Sequence, residues 1–539
     1  MPTHDCSLTP ESTGQEILAV TRKIERARLA NLLLWISPVQ SAIIASAKAL
    51  RTGHDCELRL PKEPESTLEA DMGGGVNYHF PVIFDDGDKW LLRARQMPEG
   101  PVPPDYQEQI IKSEVATLQH FHRKGLPVPN AWVDDGQIFH PIESGHSPHL
   151  SYFFCEYLNG KPNLDLCYVN DSIHSPGTRT RNLIEQFAAF QIELHGLPIH
   201  TTQIGSLTYS PAHQNEPAVG PLIALGCLHH IDTPYILGPF NTNQDRYLGQ
   251  IDIALQHIIN GYICMSDPLD AYLWHLQLRE LVAGSVELAQ PISRGYITHA
   301  DAKGDHILVD ENDKISGVID WECAYVTTEE EAFAAPRWLF ALQEDEMEIT
   351  AAEEILAKSY EKLGRPNLAC HVRNGKLYQR LAEIGMEPDD PLAQIEILQV
   401  FRHAIPPDFR PPYLIGYDWR VYSINRYRGD VGLQQIMIKV GWDGTKEYHK
   451  NKEGLFERDE KVKEFWDMTF ERFVELKQQL RREFGDTESS VESYDLDNSF
   501  DDEPLVDGGS DTDVEPGEVP EMNPLKTYQA QGQVSVVIN

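Results

Sequence analysis

Residues 296–322 decide the fold. They read Tyr296-Ile297-Thr298-His299-Ala300-Asp301-Ala302-Lys303-Gly304-Asp305-His306-Ile307-Leu308-Val309-Asp310, then Glu311-Asn312-Asp313-Lys314, then Ile315-Ser316-Gly317-Val318-Ile319-Asp320-Trp321-Glu322. Two short apolar runs, 307–309 and 315–319, flank an acidic turn, the pattern of a tight β-hairpin. Polar clusters bracket the ribbon at both ends, which puts Asp301 and Asp320 at strand ends, where sites usually sit. A strand pair folded back on itself is placed to bring these two carboxylates to one point.

Upstream, Phe80–Phe84 and Trp90–Arg95 are separated by Asp85-Asp86-Gly87-Asp88 and form a second hairpin, with Gly73-Gly74-Gly75 just before it. Ile111, Val115 and Leu118 recur at helical spacing over residues 108–123, with Glu114 in the same turns. Tyr152–Leu158 reads as a buried strand ending at Asn159-Gly160. The order is strand, strand, helix, strand, and a helix from about Arg181 to His195 follows. Residues 200–250 read as an irregular excursion. Further helices are expected at about 245–262, 268–290, within 328–380, and through Val462–Leu480.

Charge narrows the partners. Forty-six Lys and Arg face 83 Asp and Glu, a net charge of −37, and such a field repels nucleic-acid phosphates and anionic lipid headgroups. Asp486–Glu521 holds 14 of the acidic residues and no Lys or Arg. It reads as an acidic disordered tail able to offer a surface to a basic partner. The eight cysteines form no C-x-x-C pair, which fits a reducing, cytoplasmic compartment. The apolar stretch between Arg28 and Lys48 is interrupted by Asn31, Ser37, Pro38, Gln40, Ser41 and Ser46, and is expected to be a buried or half-buried helix rather than a membrane span.

Phosphoryl transfer asks a protein for a cradle or cation for nucleotide phosphates, carboxylates for magnesium, and a carboxylate near the acceptor hydroxyl. Gly73, Gly74 and Gly75 allow close approach of backbone to phosphate, and Arg93 or Arg95 supplies fixed positive charge. Asp301 and Asp320 supply the carboxylates.

The run His299-x-Asp301-x3-Asp305-His306, followed by Ile319-Asp320-Trp321-Glu322, resembles the catalytic loop and metal-binding strand of the aminoglycoside phosphotransferase and choline-kinase-like family. It is most similar to the large fungal group of such proteins, and the likeness runs over roughly residues 70–345. The resemblance implies an α+β, two-lobed protein-kinase-like fold: a helical extension over 1–65, a small sheet lobe over 66–158, a larger helical lobe over 159–484 and the acidic tail over 485–539. It implies ATP and Mg2+ as cofactors and a small-molecule hydroxyl as acceptor, with a cationic acceptor favoured by the charge.

By the same resemblance Asp301 is the catalytic base, with His299 grouped beside it, and Asp320 ligates magnesium. Glu156 and Tyr157 form the hinge whose backbone meets adenine, and Glu114 pairs with the strand cation. Two positions depart from the family pattern. Arg93 stands where lysine is usual, a fork in place of a point charge. His306 stands at the second metal position, where the family has asparagine, and imidazole is a poor substitute for an amide oxygen toward a hard cation. Asp305 offers an oxygen next door. These departures leave open a second reading, a catalytically impaired pseudokinase acting as a binding module.

Overall fold

The computed structural model describes residues 14–61, 77–95, 104–133, 150–163, 173–208, 217–224, 234–264, 268–340, 348–382, 400–401 and 417–441. Gly73–Gly75, the Val462–Leu480 helix and the acidic tail lie outside them. The chain divides into two compact units, Met1–Ala27 with Phe470–Asn539, and Arg28–Thr469. Of the first, the described part is the leading stretch of helix α1 (Gly14–Leu50).

Within the second unit a sheet region precedes a helical one. Strands β1 (Cys56–Leu58), β2 (Asn77–Phe84), β3 (Lys89–Arg95), β4 (Ala131–Trp132) and β5 (Tyr152–Glu156) form a five-stranded sheet in the order β1-β2-β3-β5-β4. The expected hairpin is β2–β3, paired from Asn77↔Arg95 to Ile83↔Lys89. Helix α2 (Pro104–Arg123) follows β3 and carries Glu114.

Strand periodicity divides the sheet between two cores. Tyr78, Phe80, Val82, Trp90, Leu92 and Ala94 pack with Leu29, Leu32, Ile36, Ile43 and Ala47 of α1. The alternate residues Asn77, His79, Arg93 and Arg95 are cross-strand neighbours on the other face. α1 is thus packed on the sheet through one stripe, and β1, ahead of the expected boundary at residue 66, is part of the same sheet. By length and composition Glu25–Leu50 is also apolar enough to cross a membrane. Leu32 is 1% exposed, so Leu32→Ala is expected to cost about 2–5 kcal/mol, read as a lowered urea midpoint. An unchanged midpoint would show that α1 adds nothing to the sheet region.

The helical region holds β6 (Lys161–Pro162), α3 (Thr178–His195), β7 (Leu207–Thr208), β8 (Ala218–Val219), α4 (Asn243–Asn260) and α5 (Pro268–Gly284). After these come β9 (Tyr296–Thr298), β10 (Ile307–Val309), β11 (Ile315–Val318), β12 (Tyr325–Thr327) and α6 (Glu329–Ala332). The last described helices are α7 (Ala351–Lys362), α8 (Pro366–Asn374), α9 (Lys376–Leu381), α10 (Tyr417–Arg426) and α11 (Val431–Lys439). The fold is the expected two-lobed α+β, kinase-like arrangement.

Two ribbons position the site. β10 pairs antiparallel with β11, starting at Ile307↔Val318, and β9 pairs antiparallel with β12, ending at Thr298↔Tyr325. The loops 299–306 and 319–324 are therefore pinned at both ends and must face each other. Close approach on the flank of the first ribbon excludes side chains: a Cβ on Gly317 would lie 2.6 Å from Leu158 Cδ1. The segment after β5 is held against the hairpin in this way.

Candidate active site

His299 joins the two facing loops. Its Nδ1 accepts from the backbone N–H of Asp301 at 3.2 Å, and its Nε2 donates to the carbonyl of Ile319 at 3.0 Å. Those partners fix the neutral tautomer with hydrogen on Nε2, and burial lowers the pKa of the ring, which keeps it neutral. Ile319 is held from its other side as well, its N–H donating to the carbonyl of His306 at 2.9 Å. The ring of Trp321 stacks obliquely on His299, centroids 5.0 Å apart, and meets Phe121 of α2 edge-on at 4.6 Å. His299 is thereby a positioning residue: one imidazole sets the distance between the Asp301 loop and the Asp320 loop.

Asp320 has φ +63°, a left-handed backbone that costs a non-glycine residue about 1–3 kcal/mol and concentrates at functional sites. Arg93 Nη2 donates to Asp320 Oδ1 at 2.6 Å and to Glu322 Oε2 at 3.1 Å, and lies 3.3 Å from Glu114 Oε1. Arg95 Nη1 donates to Glu322 Oε1, and Asn77 Nδ2 donates to Glu322 Oε2 at 2.6 Å. The expected pairing of Glu114 with the strand cation is thus one edge of a larger cluster, two guanidiniums facing three carboxylates. Burial works against the charge on Asp320, yet Arg93 holds its carboxyl well below the ordinary range. Glu322 is likewise lowered, by Arg95 and Arg93 against burial.

Glu114 goes the other way. Burial pushes its carboxyl up to about 8, against the pull of Arg93 and with Glu322 and Asp320 adding to the rise. With Glu114 protonated, two guanidiniums balance two carboxylates. Below the ordinary value of 4.5 both the folded and the unfolded chain hold this proton, and from there to about 8 only the folded chain does. Its contribution to stability is therefore lost as pH rises through that window. Glu114→Gln is expected to flatten the decline in urea midpoint between those pH values. A decline of the same slope in the variant would remove Glu114 as its source.

Asp301 is paired with Lys303, Nζ to Oδ2 2.5 Å, and Lys303 also lies 3.5 Å from Asp305 Oδ2. Burial tends to lower the Lys303 pKa, but Asp301 and Asp305 raise it above the ordinary lysine value.

His306, 3% exposed, does not present itself as a ligand. Its Nδ1 accepts from Gly304 N–H at 3.2 Å, and burial keeps the ring neutral. The hydrogen is therefore on Nε2, which has no partner among the described residues and offers a donor where a cation needs a lone pair. Asp320 fits a divalent cation better. Arg93 engages its Oδ1, and its side chain remains 44% exposed.

The hinge differs from expectation in detail. Glu156 N–H donates to the carbonyl of Asn130 at 2.8 Å and Tyr157 N–H to that of Lys89 at 3.1 Å. Both backbone donors expected to meet adenine are engaged inside the protein, whereas the next amide, Leu158 N–H, has no partner among the described residues.

The structure thus brings His299, Asp301, His306, Asp320, Arg93 and Glu114 into one neighbourhood, with Glu156 and Tyr157 at the end of β5. Arg95, the alternative to Arg93 as fixed positive charge, lies in the same cluster, and Lys303, Asn77 and Glu322 belong to it without having been assigned roles from sequence. The signal for Glu322 was present: Arg93 and Arg95, two apart on an otherwise apolar strand, share a face and need two buried carboxylates.

Residues 76–329 match the family model described as the phosphotransferase enzyme family. No curated protein sequence matches the chain. Among solved structures, a microcompartment-associated aminopropanol kinase is similar at 16% identity and TM-score 0.36, over 73% of this chain and 99% of that one. An ethanolamine kinase of Plasmodium vivax is similar at 11% identity and TM-score 0.35, over 65% and 82%. The macrolide 2'-phosphotransferase MphH of Brachybacterium faecium is similar at 15% identity and TM-score 0.33, over 69% and 100%.

Proposed function

Since residues 76–329 match the model of the phosphotransferase enzyme family, we propose that the chain is an ATP-dependent kinase of that family acting on a hydroxyl of a small molecule. The observation that carries this reading is the His299 bridge, which holds the Asp301 loop and the Asp320 loop face to face. Magnesium held by Asp320 would draw negative charge from the nucleotide phosphates when bound.

The remaining chemistry belongs to the chain. Asp301 orients the acceptor hydroxyl and takes its proton as the oxygen bonds to the terminal phosphorus, the bond from that phosphorus to the bridging oxygen breaks, and ADP leaves with the electron pair. Arg93, fixed by Glu322 and Asp320, keeps the Asp320 carboxylate ionised and in place. Leu158 N–H, without a partner among the described residues, is a backbone donor available at the hinge. The net charge of −37 favours a cationic acceptor such as an amino alcohol or amino sugar.

The test is ADP production from ATP in the presence of small-molecule extracts fractionated by charge, followed by mass analysis of the product. ADP formation that depends on a cationic fraction, with one phosphate gained by the acceptor, is expected. The binding-module reading draws on Arg93, whose guanidinium is already engaged by the Asp320 and Glu322 carboxylates and lies against the Glu114 carboxyl. Nucleotide binding with no ADP formed from any fraction would favour it.

A further inference from the structure

In phosphoryl transfer of the protein-kinase type two divalent ions are commonly held, one by the carboxylate after the metal-binding strand and one at the catalytic-loop asparagine. Here the second position is chemically altered in two independent ways. The His306 imidazole accepts from Gly304 N–H through Nδ1, so its Nε2 bears hydrogen. His306 as a residue is 3% exposed, and this atom has no hydrogen-bond partner among the described residues. A donor left open in this way asks for an anionic or carbonyl oxygen and repels a cation. The two oxygen-bearing side chains beside it, Asp301 and Asp305, already share the ammonium of Lys303, at 2.5 Å and 3.5 Å.

We propose that this site takes one divalent cation with its nucleotide rather than two: Asp320 holds it, while Lys303 and the Nε2–H of His306 supply the positive charge and the hydrogen bond to phosphate oxygen that a second ion would give. Lys303 already sits between Asp301 and Asp305, so a second ion drawn to those carboxylates would have to expel or crowd its ammonium. This inference rests on the kinase reading and deepens it, because it changes what must be present for the transferring phosphoryl group to be neutralised.

The experiment counts ions. Full-length protein saturated with adenylyl imidodiphosphate is titrated with Mn2+, and bound ion is measured by the electron paramagnetic resonance signal of what remains free. One Mn2+ per bound nucleotide, without Mn–Mn spin coupling, is expected for the wild type, and that count needs no variant to fold. His306→Asn, which restores an amide oxygen, is expected to admit a second, weaker ion. Two ions per nucleotide in the wild type overturns the single-ion site while leaving the kinase reading intact. A His306→Asn protein that still takes one overturns the part given to His306. Failure of the wild type to bind the nucleotide at any Mn2+ concentration overturns the kinase reading and this inference with it.

Discussion

Asp301→Asn is expected to lower turnover by about 10²- to 10⁴-fold, the range for loss of a general base, with nucleotide affinity close to that of the wild type. The separation of the two effects follows from the structure. The Asp301 carboxylate pairs with Lys303 and hydrogen-bonds no other described side chain, while the loop carrying it is fixed through its backbone N–H on His299. Asparagine keeps the shape and that backbone bond but cannot take a proton from the acceptor. A loss made in the chemical step lowers kcat and kcat/KM for the acceptor together, with little change in nucleotide KM. Steady-state rates with the acceptor that the extract screen identifies, and calorimetry with nucleotide, measure the two. Turnover equal to wild type would remove Asp301 as the base.

The second large effect concerns stability. Glu322→Ala is expected to destabilise the chain by about 3–5 kcal/mol, the usual result of stripping one partner from a buried ion pair. Arg93 and Arg95 are 6% and 4% exposed, and with Glu114 protonated their balancing charges are Asp320 and Glu322. Removing Glu322 leaves Arg95 without its carboxylate, Arg93 with one fewer and Asn77 Nδ2 without its acceptor. The penalty comes from the stranded guanidinium, so the double variant Glu322→Ala, Arg95→Met is expected to recover much of it. Urea denaturation followed by circular dichroism gives the coupling. Additive losses in the double variant would show that Glu322 and Arg95 act independently.

Much of this architecture was legible because local pattern and tertiary role agree. The alternation over Phe80–Arg95, the helical spacing of Ile111, Val115 and Leu118, and the apolar–turn–apolar run at 307–319 each match an observed element. Strand β1 was not legible, since three residues are too few to show alternation and its pairing partner lies beyond a long connection. The ion cluster was hidden for a different reason. Arg93 and Arg95 meet Asp320 and Glu322 across 227 to 229 positions of chain, a distance over which spacing carries no information. The hinge donors and the His306 tautomer were hidden because both are set by the backbone. Asn130 and Lys89 carbonyls occupy the Glu156 and Tyr157 amides, and Gly304 N–H decides which nitrogen of His306 carries hydrogen.

Asp320, fixed by Arg93 on one side and by the His299 bridge on the other, is the proposed meeting point of metal and nucleotide. The most direct measurement is the affinity for adenylyl imidodiphosphate with and without Mg2+, in the wild type and in Asp320→Asn. Tighter nucleotide binding with Mg2+ in the wild type, and none of that gain in Asp320→Asn, is the predicted result. An identical Mg2+ gain in both proteins, or none in the wild type, would contradict it.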